Sequence, residues 1–228
     1  MSEPESRCEP LVFLFSAPSG AGKSTLVDGL LGSVPKLRRV VTCTTRPPRA
    51  DEADGEAYHF LSRAAFDARI ARGDFIEWNE IYGRRYGTSK TVFEQDLEAA
   101  RRNGEDLVLV IDVDGKENFT AHYGGAVTVF VLPPSVSELH TRIAERGTED
   151  AQAAARRLAR ADKELARAWC YDYRVTNDSV ERALGELRRI VAAERAKRGA
   201  ARRKGDGALQ GNGASQGDAL GVDNRPPV

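Results

Sequence analysis

No stretch of the chain is apolar for anything near the ~20 residues that a membrane-spanning helix needs. That excludes an α-helical membrane protein, and no membrane partner is expected. Net charge is missing as well, because 34 Lys and Arg balance 34 Asp and Glu. The chain therefore has no global field to draw it to nucleic acid or anionic lipid, and nucleic acid is not expected as a partner. Cysteine is scarce. Cys8, Cys43 and Cys170 are odd in number and lack metal-ligand spacing, which excludes a disulfide framework and fits a reducing compartment. The first ten residues are polar and acidic rather than a secretory signal, so a cytoplasmic location is expected. What the 228 residues do have is 41% hydrophobic content, enough for a sizeable core, and 30% charged content. They suit one domain, or one domain with an appendage.

The most informative segment is Ala17-Pro18-Ser19-Gly20-Ala21-Gly22-Lys23-Ser24-Thr25. It follows the apolar run Leu11–Phe15 and precedes Leu26, Val27, Leu30 and Leu31, which share one helix face. Strand, glycine-rich loop, Lys-Ser and helix in that order form a P-loop. Small residues let backbone N–H groups curl around phosphate oxygens. The helix N-terminus adds partial positive charge, Lys23 a full one, and the Ser24 hydroxyl a ligand for Mg²⁺. A bound nucleoside triphosphate is expected. Ala17 stands where the G-x-x-x-x-G-K-[ST] pattern has its first glycine; alanine keeps the loop tight but visits positive φ less freely.

Strands and helices alternate along the rest of the chain. Strands are predicted at Val40–Cys43, Phe75–Trp78, Leu107–Ile111, Ala126–Leu132 and Tyr173–Thr176, the two longest apolar as buried parallel strands should be. Helices are predicted after Ser62, after Ser89 up to Asn103-Gly104, from Ser135 to about Glu145, from Gln152 to Trp169, and after Asp178 or Ser179. This is an α/β domain with a central parallel sheet and helices on both faces. Beyond about Ala196 a basic cluster, then a Gly-, Asn-, Gln- and Ser-rich stretch, reads as a solvated helix end and a disordered tail over 197–228, with a disordered lead-in over 1–10.

Between Thr44 and Gly55 lies Thr-Thr-Arg46-Pro-Pro-Arg49-Ala-Asp51-Glu52. Two arginines three residues apart, stiffened by a Pro-Pro pair, can both face one anion, and guanidinium matches phosphate bidentately. Tyr58, Glu77, Tyr86 and Thr88 follow, a set suited to one phosphate and one base.

With these motifs the chain resembles the guanylate kinase family. The resemblance rests on the Ala-Pro-Ser-Gly-Ala-Gly-Lys-Ser loop, Thr-Thr-Arg-x-Pro-Arg-x-x-Glu, then Gly55, Tyr58 and Phe60. It continues through Phe75-Ile76-Glu77, Tyr86-Gly87-Thr88, Asp112-Val113-Asp114, Pro133-Pro134-Ser135, Arg146-Gly147-Thr148 and Val175-Thr176-Asn177-Asp178, over roughly residues 11–196. It implies a P-loop NTPase fold of three α/β/α layers, a GMP-binding subdomain over about 42–88, a helical lid over about 135–165, and transfer of a phosphoryl group from ATP to GMP with Mg²⁺. Ala17 to Thr25, Arg142, Asn177 and Asp178 are then candidates for ATP. Thr42, Arg46, Arg49, Tyr58, Glu77, Tyr86, Thr88 and Asp112 are candidates for GMP. Lys23, Arg49, Arg146 and Arg157 are candidates for catalysis. Ser24 is the candidate Mg²⁺ ligand, with Asp112 or Asp114 acting through water.

Three departures from the family pattern stand out. Asp51 replaces a usual glycine beside the arginines, where it either pairs with Arg49 or points to solvent. Gly115-Lys116-Glu117 replaces a usual Gln-Gly pair, which puts the local backbone in question, and the tail beyond Ala196 has no counterpart. Two other readings are open at this stage: a P-loop kinase for another small phosphorylated acceptor, and a non-catalytic binding module of the same fold.

Overall fold

A computed structural model describes residues 9–145 and 151–210. Its elements run β1 (Val12–Ser16), α1 (Lys23–Ser33), β2 (Leu37–Arg39), β3 (Thr42–Thr44), β4 (Tyr58–Phe60), α2 (Arg63–Ala71), β5 (Phe75–Ile81), β6 (Arg84–Ser89) and α3 (Lys90–Asn103). They continue with β7 (Asp106–Val110), α4 (Val113–His122), β8 (Ala126–Leu132), α5 (Val136–Glu145), α6 (Ala151–Ala166), a 3₁₀ turn (Ala168–Cys170), β9 (Tyr173–Thr176) and α7 (Val180–Gln210).

Five strands form a parallel sheet in the order β2-β7-β1-β8-β9. Its central strands are apolar almost throughout and buried on both faces. Val12 and Leu14 of β1 join Phe93, Leu97 and Ala100 of α3 and Val113 and Phe119 of α4 in one cluster. Phe13 and Phe15 are equally buried and, by strand alternation, face the other side. β1 and β7 end side by side, with Phe15 opposite Val110, so the loops after both strands open on the same edge of the sheet.

A second sheet of four strands, β4-β3-β6-β5, is mixed: β3 pairs parallel with β4 and antiparallel with β6, and β5 pairs antiparallel with β6. Cys43, Phe66 and Phe75 make its small core, with the two phenylalanine rings stacked at 4.4 Å. Ser62 and Ser89 cap α2 and α3 through their hydroxyls, and Gly104 ends α3 at φ 62, all as the sequence predicts.

Several expectations are corrected. Val40–Cys43 is not one strand: β2 belongs to the first sheet and β3 to the second, and the chain crosses between them at Val40-Val41. β4, β6 and α4 were not anticipated; their residues are mostly half-exposed or polar and carry no strong period. The helix predicted to Trp169 stops at Ala166. α7 runs to Gln210, through the basic cluster expected as a solvated helix end and into the first residues of the expected tail. Ala, Arg and Lys, all good helix formers, fill most of the extension, and it also carries Gly199, Gly205 and Gly207, each costing ~1 kcal/mol against Ala. The chain divides into two compact units, one ending at Arg189 and the other starting at Ile190, whose described part is the remainder of α7. Residues 1–8 and 211–228, expected as a disordered lead-in and tail, lie outside the described residues. Among the described residues no helix is long and apolar enough to cross a membrane.

Candidate active site

The loop between β1 and α1 holds Gly20 at φ 92 and Gly22 at φ 83, both in the left-handed region that a side chain resists. Gly22 stands at the N-cap of α1 with no side-chain cap, so no side chain competes there for the first N–H groups of the helix. The loop is braced from outside: Asn177 Nδ2 donates to the Ala21 carbonyl at 2.9 Å. Lys23 Nζ donates to the Ile111 carbonyl, just past β7, at 3.2 Å. Burial lowers the Lys23 pKa to about 8, against the pull of Asp112 and Glu164.

A cleft of about 490 Å³ opens in front of this loop. Ala17 to Gly20 and Gly22 to Thr25 line one end, and Thr42, Arg49, Tyr58, Glu77, Tyr86 and Asp112 line the other. The second sheet brings Thr42, Tyr58, Glu77 and Tyr86 together by register: Thr42 lies opposite Tyr58, Thr44 opposite Tyr86, and Glu77 opposite Thr88. Thr88 Oγ1 donates to Glu77 Oε1 at 2.6 Å. Glu77 is only 4% exposed. Burial pushes its pKa up to about 7, with Thr88 opposing the shift and Asp112 adding to it.

Arg46 and Arg49 share one carboxylate, that of Glu52. Arg46 Nη2 donates to Glu52 Oε1 at 2.7 Å, and the Arg49 backbone N–H donates to Oε2 at 2.8 Å. The Arg49 guanidinium stands 3.8 Å from the same carboxylate. Of the two alternatives for Asp51 the exposed one holds: it is exposed at the cleft wall, and the neighbouring Glu52 pairs with the arginines. The Arg46 guanidinium lies over the Tyr58 and Phe60 rings at 5.5 and 5.7 Å.

Asp112 and Asp114 differ in their main partners, though Arg160 Nη2 lies within 4.0 Å of both. Asp112 Oδ1 caps α4, accepting from the Asp114 and Gly115 N–H groups at 2.9 and 3.0 Å, and from Asn79 Nδ2 at 2.9 Å. Asp114 instead accepts from Arg160 and Arg167, at 3.1 and 2.5 Å. The segment Gly115-Lys116-Glu117 is regular helix. Lys116 Nζ donates to the Cys170 carbonyl at 2.8 Å and Glu117 accepts from Arg167 at 2.6 Å. The unusual side chains are thus engaged by the 3₁₀ turn and the residue before it.

Of the predicted lid residues, Arg142 pairs with Glu138 and borders a neighbouring pocket of about 420 Å³, together with Asn177 and Asp178. The Arg157 guanidinium lies over the Tyr82 ring at 5.3 Å. Arg146 falls outside the described residues. Ala21, Arg46, Thr88, Arg142, Asp114, Arg157, Asn177 and Asp178 are not on the main cleft wall. Sequence reasoning missed Arg160, Glu164 and Tyr82, which are. Arg160 Nε donates to Glu164 Oε1 at 2.7 Å. Positions 157, 160 and 164 share one helix face, and that spacing was the available signal.

Among the described residues, no group of three or more His, Cys, Asp or Glu side chains could hold a metal alone. The donor set at the loop is oxygen only: the Ser24 hydroxyl and the Asp112 carboxylate both line the cleft. That set fits a hard divalent ion held mainly by phosphate oxygens and water.

A P-loop that opens a helix beside a parallel sheet, at a cleft also lined by Arg49, Tyr58 and Tyr86, defines a P-loop NTPase fold. The guanylate kinase family model matches residues 9–194. Guanylate kinase of Symbiobacterium thermophilum is 44% identical over 187 residues, 82% of this chain and 87% of the relative. That of Thiobacillus denitrificans is 42% identical over 185 residues, covering 81% and 87%. The crystal structure of guanylate kinase from Anaplasma phagocytophilum superposes with a TM-score of 0.65 at 27% identity, covering 82% of this chain and 87% of that one. The chain belongs to the guanylate kinase family.

Proposed function

We propose that the cleft brings ATP and GMP together for in-line transfer of the γ-phosphoryl group, giving ADP and GDP, and that dGMP serves as an alternative acceptor. The reaction itself, ATP-dependent phosphorylation of GMP to GDP, comes with family membership. Ala17 to Thr25 cradle the donor phosphates, and Arg142, Asn177 and Asp178 border its base. Arg46, Arg49, Tyr58 and Tyr86 hold the acceptor phosphate, while Glu77, Thr42, Thr88 and Asp112 take the guanine end. Residues of about 42–88 act as the acceptor subdomain and about 135–165 as the lid.

Glu77 carries the reading. Guanine offers N1–H and the N2 amino group as neighbouring donors, and one carboxylate accepts from both. Adenine has no such pair, and a buried carboxylate left unpaired against it is strongly unfavourable. Burial of Glu77 beside the Thr88 hydroxyl supports this assignment.

The chemistry needs no general base, because the second ionisation of a phosphate lies near ~6 and the attacking oxygen is already mostly charged at pH 7. The barrier is repulsion between two polyanions. Lys23, Arg49, Arg146 and Arg157 neutralise charge as it redistributes in the transition state. Ser24, with Asp112 through water, would hold Mg²⁺, which when bound supplies further positive charge at the β- and γ-phosphate oxygens. Closure of the α5–α6 region excludes water, without which ATP would hydrolyse. The enzyme acts in the cytoplasm on this reading.

A coupled ADP-release assay with GMP, dGMP, AMP and UMP tests it. ADP release with GMP and dGMP alone is the expected result. Release with AMP or UMP instead, or with no acceptor at all, would overturn it.

A further inference from the structure

Tyr82 and Gly83 form the two-residue turn between β5 and β6, at φ 49 and φ 71. A turn with positive φ at both central positions accepts Asn, Asp or Gly at the first position with least strain. A tyrosine there holds its Cβ too close to the following carbonyl. Core burial does not explain the choice, since Tyr82 is 44% exposed. Its ring lines the cleft and carries the Arg157 guanidinium at 5.3 Å from its centroid. The contact joins the tip of the acceptor-side sheet to α6. Strain kept at a cleft-wall residue that contacts an arginine of another element points to function.

We infer that Tyr82 is a positioning residue for phosphoryl transfer: its ring, on the cleft wall, holds Arg157 beside the cleft, from where the arginine can reach the transferred group. The inference rests on the reading of Arg157 as a cation for the transferred group. An aromatic face suits the task. It holds a guanidinium in place but is weaker than a charge-assisted bond to phosphate. Arg157 therefore leaves the ring for phosphoryl oxygens once both nucleotides are bound. The ring limits the positions the long side chain must search beforehand, which lowers the ordering cost of reaching the reactive geometry.

The full chain is tested as Tyr82→Asn, Tyr82→Phe, Arg157→Ala and the Tyr82→Asn/Arg157→Ala double variant, with melting temperature, kcat and both KM values measured. Asparagine suits the turn, so Tyr82→Asn is expected to melt at or above the parent temperature. Its kcat is expected to fall about fivefold, the scale of one cation–π contact, with both KM values within about twofold. Phenylalanine keeps the ring face and is expected to hold kcat within about twofold. In the Arg157→Ala background, Tyr82→Asn is expected to change nothing further. An unchanged kcat in Tyr82→Asn, additive losses in the double variant, or a rise in KM alone would overturn the inference. If Arg157→Ala loses turnover and Tyr82→Asn does not, the role of Tyr82 fails while that of Arg157 stands. If Arg157→Ala keeps full turnover, both fail.

Discussion

Gly115 of α4 leaves the space that the Glu77 carboxylate of β5 occupies: a Cβ at position 115 would stand 2.5 Å from Glu77 Oε2 and 3.1 Å from its Cδ. The glycine is a matter of close approach, since its φ is not among the positive ones. Gly115→Ala must therefore push the carboxylate off Thr88 or shift the start of α4. We expect kcat/KM for GMP to fall at least about tenfold, the scale of misplacing a buried hydrogen-bonding group, with KM for ATP within about twofold. Equal losses for both nucleotides would show that α4, and not Glu77, had moved.

Glu77 also makes the chain sensitive to pH. Its pKa is about 7 in the folded state against 4.5 unperturbed. The unfolded chain therefore releases this proton first. Between those two values the folded state binds more protons, so stability falls as pH rises from 4.5 towards 7 and levels off above. The full cost above that window is about 3 kcal/mol. Glu77→Gln removes it, so urea denaturation should find the variant more stable than the parent at pH 8 and no more stable at pH 4. The same variant should use GMP poorly, because an amide cannot accept from both guanine donors. Lys23 sets the opposite limb. Its folded pKa of about 8 lies below the unperturbed 10.5, so the free enzyme loses this cation as pH rises through about 8. The kcat/KM profile for GMP should be a narrow bell bounded near 7 and 8. Bound phosphates keep Lys23 charged, so kcat should extend further into alkali.

Lys23 and Arg49 both line the cleft, and the proposed reaction assigns charge neutralisation to both. Lys23→Ala and Arg49→Ala should each lower kcat at least ~100-fold, the scale of losing one preorganised charge contact. The Arg49 side chain is 66% exposed, so Arg49→Ala should melt within a few degrees of the parent, which separates a loss of chemistry from a loss of fold. Near-normal turnover in either variant would end the assignment.

The donor loop was readable in sequence because its chemistry allows few residues: Gly20 and Gly22 sit at positive φ and Lys23-Ser24 opens the helix. Leu107–Ile111 and Ala126–Leu132 were readable because a strand buried on both faces must be apolar throughout. The second sheet was not. Tyr58–Phe60 and Arg84–Ser89 are short and partly exposed, and their register, not their composition, brings Glu77 to Thr88. Arg160 and Glu164 looked like an ordinary charged helix face until α6 turned that face to the cleft. The pairing of Glu52 with both Arg46 and Arg49 depends on a loop conformation that no periodicity encodes.

Asn177 links the last strand's end to the donor loop, and two effects meet there. Its Nδ2 satisfies the buried Ala21 carbonyl at 2.9 Å, and the same atom would lie 2.3 Å from a Cβ on Gly22. Asn177→Ala should cost about 1–3 kcal/mol of stability through the unpaired carbonyl and raise KM for ATP several-fold, leaving KM for GMP within about twofold. Gly22→Ala suffers twice, from the clash with Asn177 and from φ 83. Removing the asparagine removes only the clash. In thermal denaturation, Gly22→Ala should therefore cost less in the Asn177→Ala background than in the parent, yet still destabilise through its backbone strain. An equal cost in both backgrounds would mean that backbone conformation alone requires glycine at position 22.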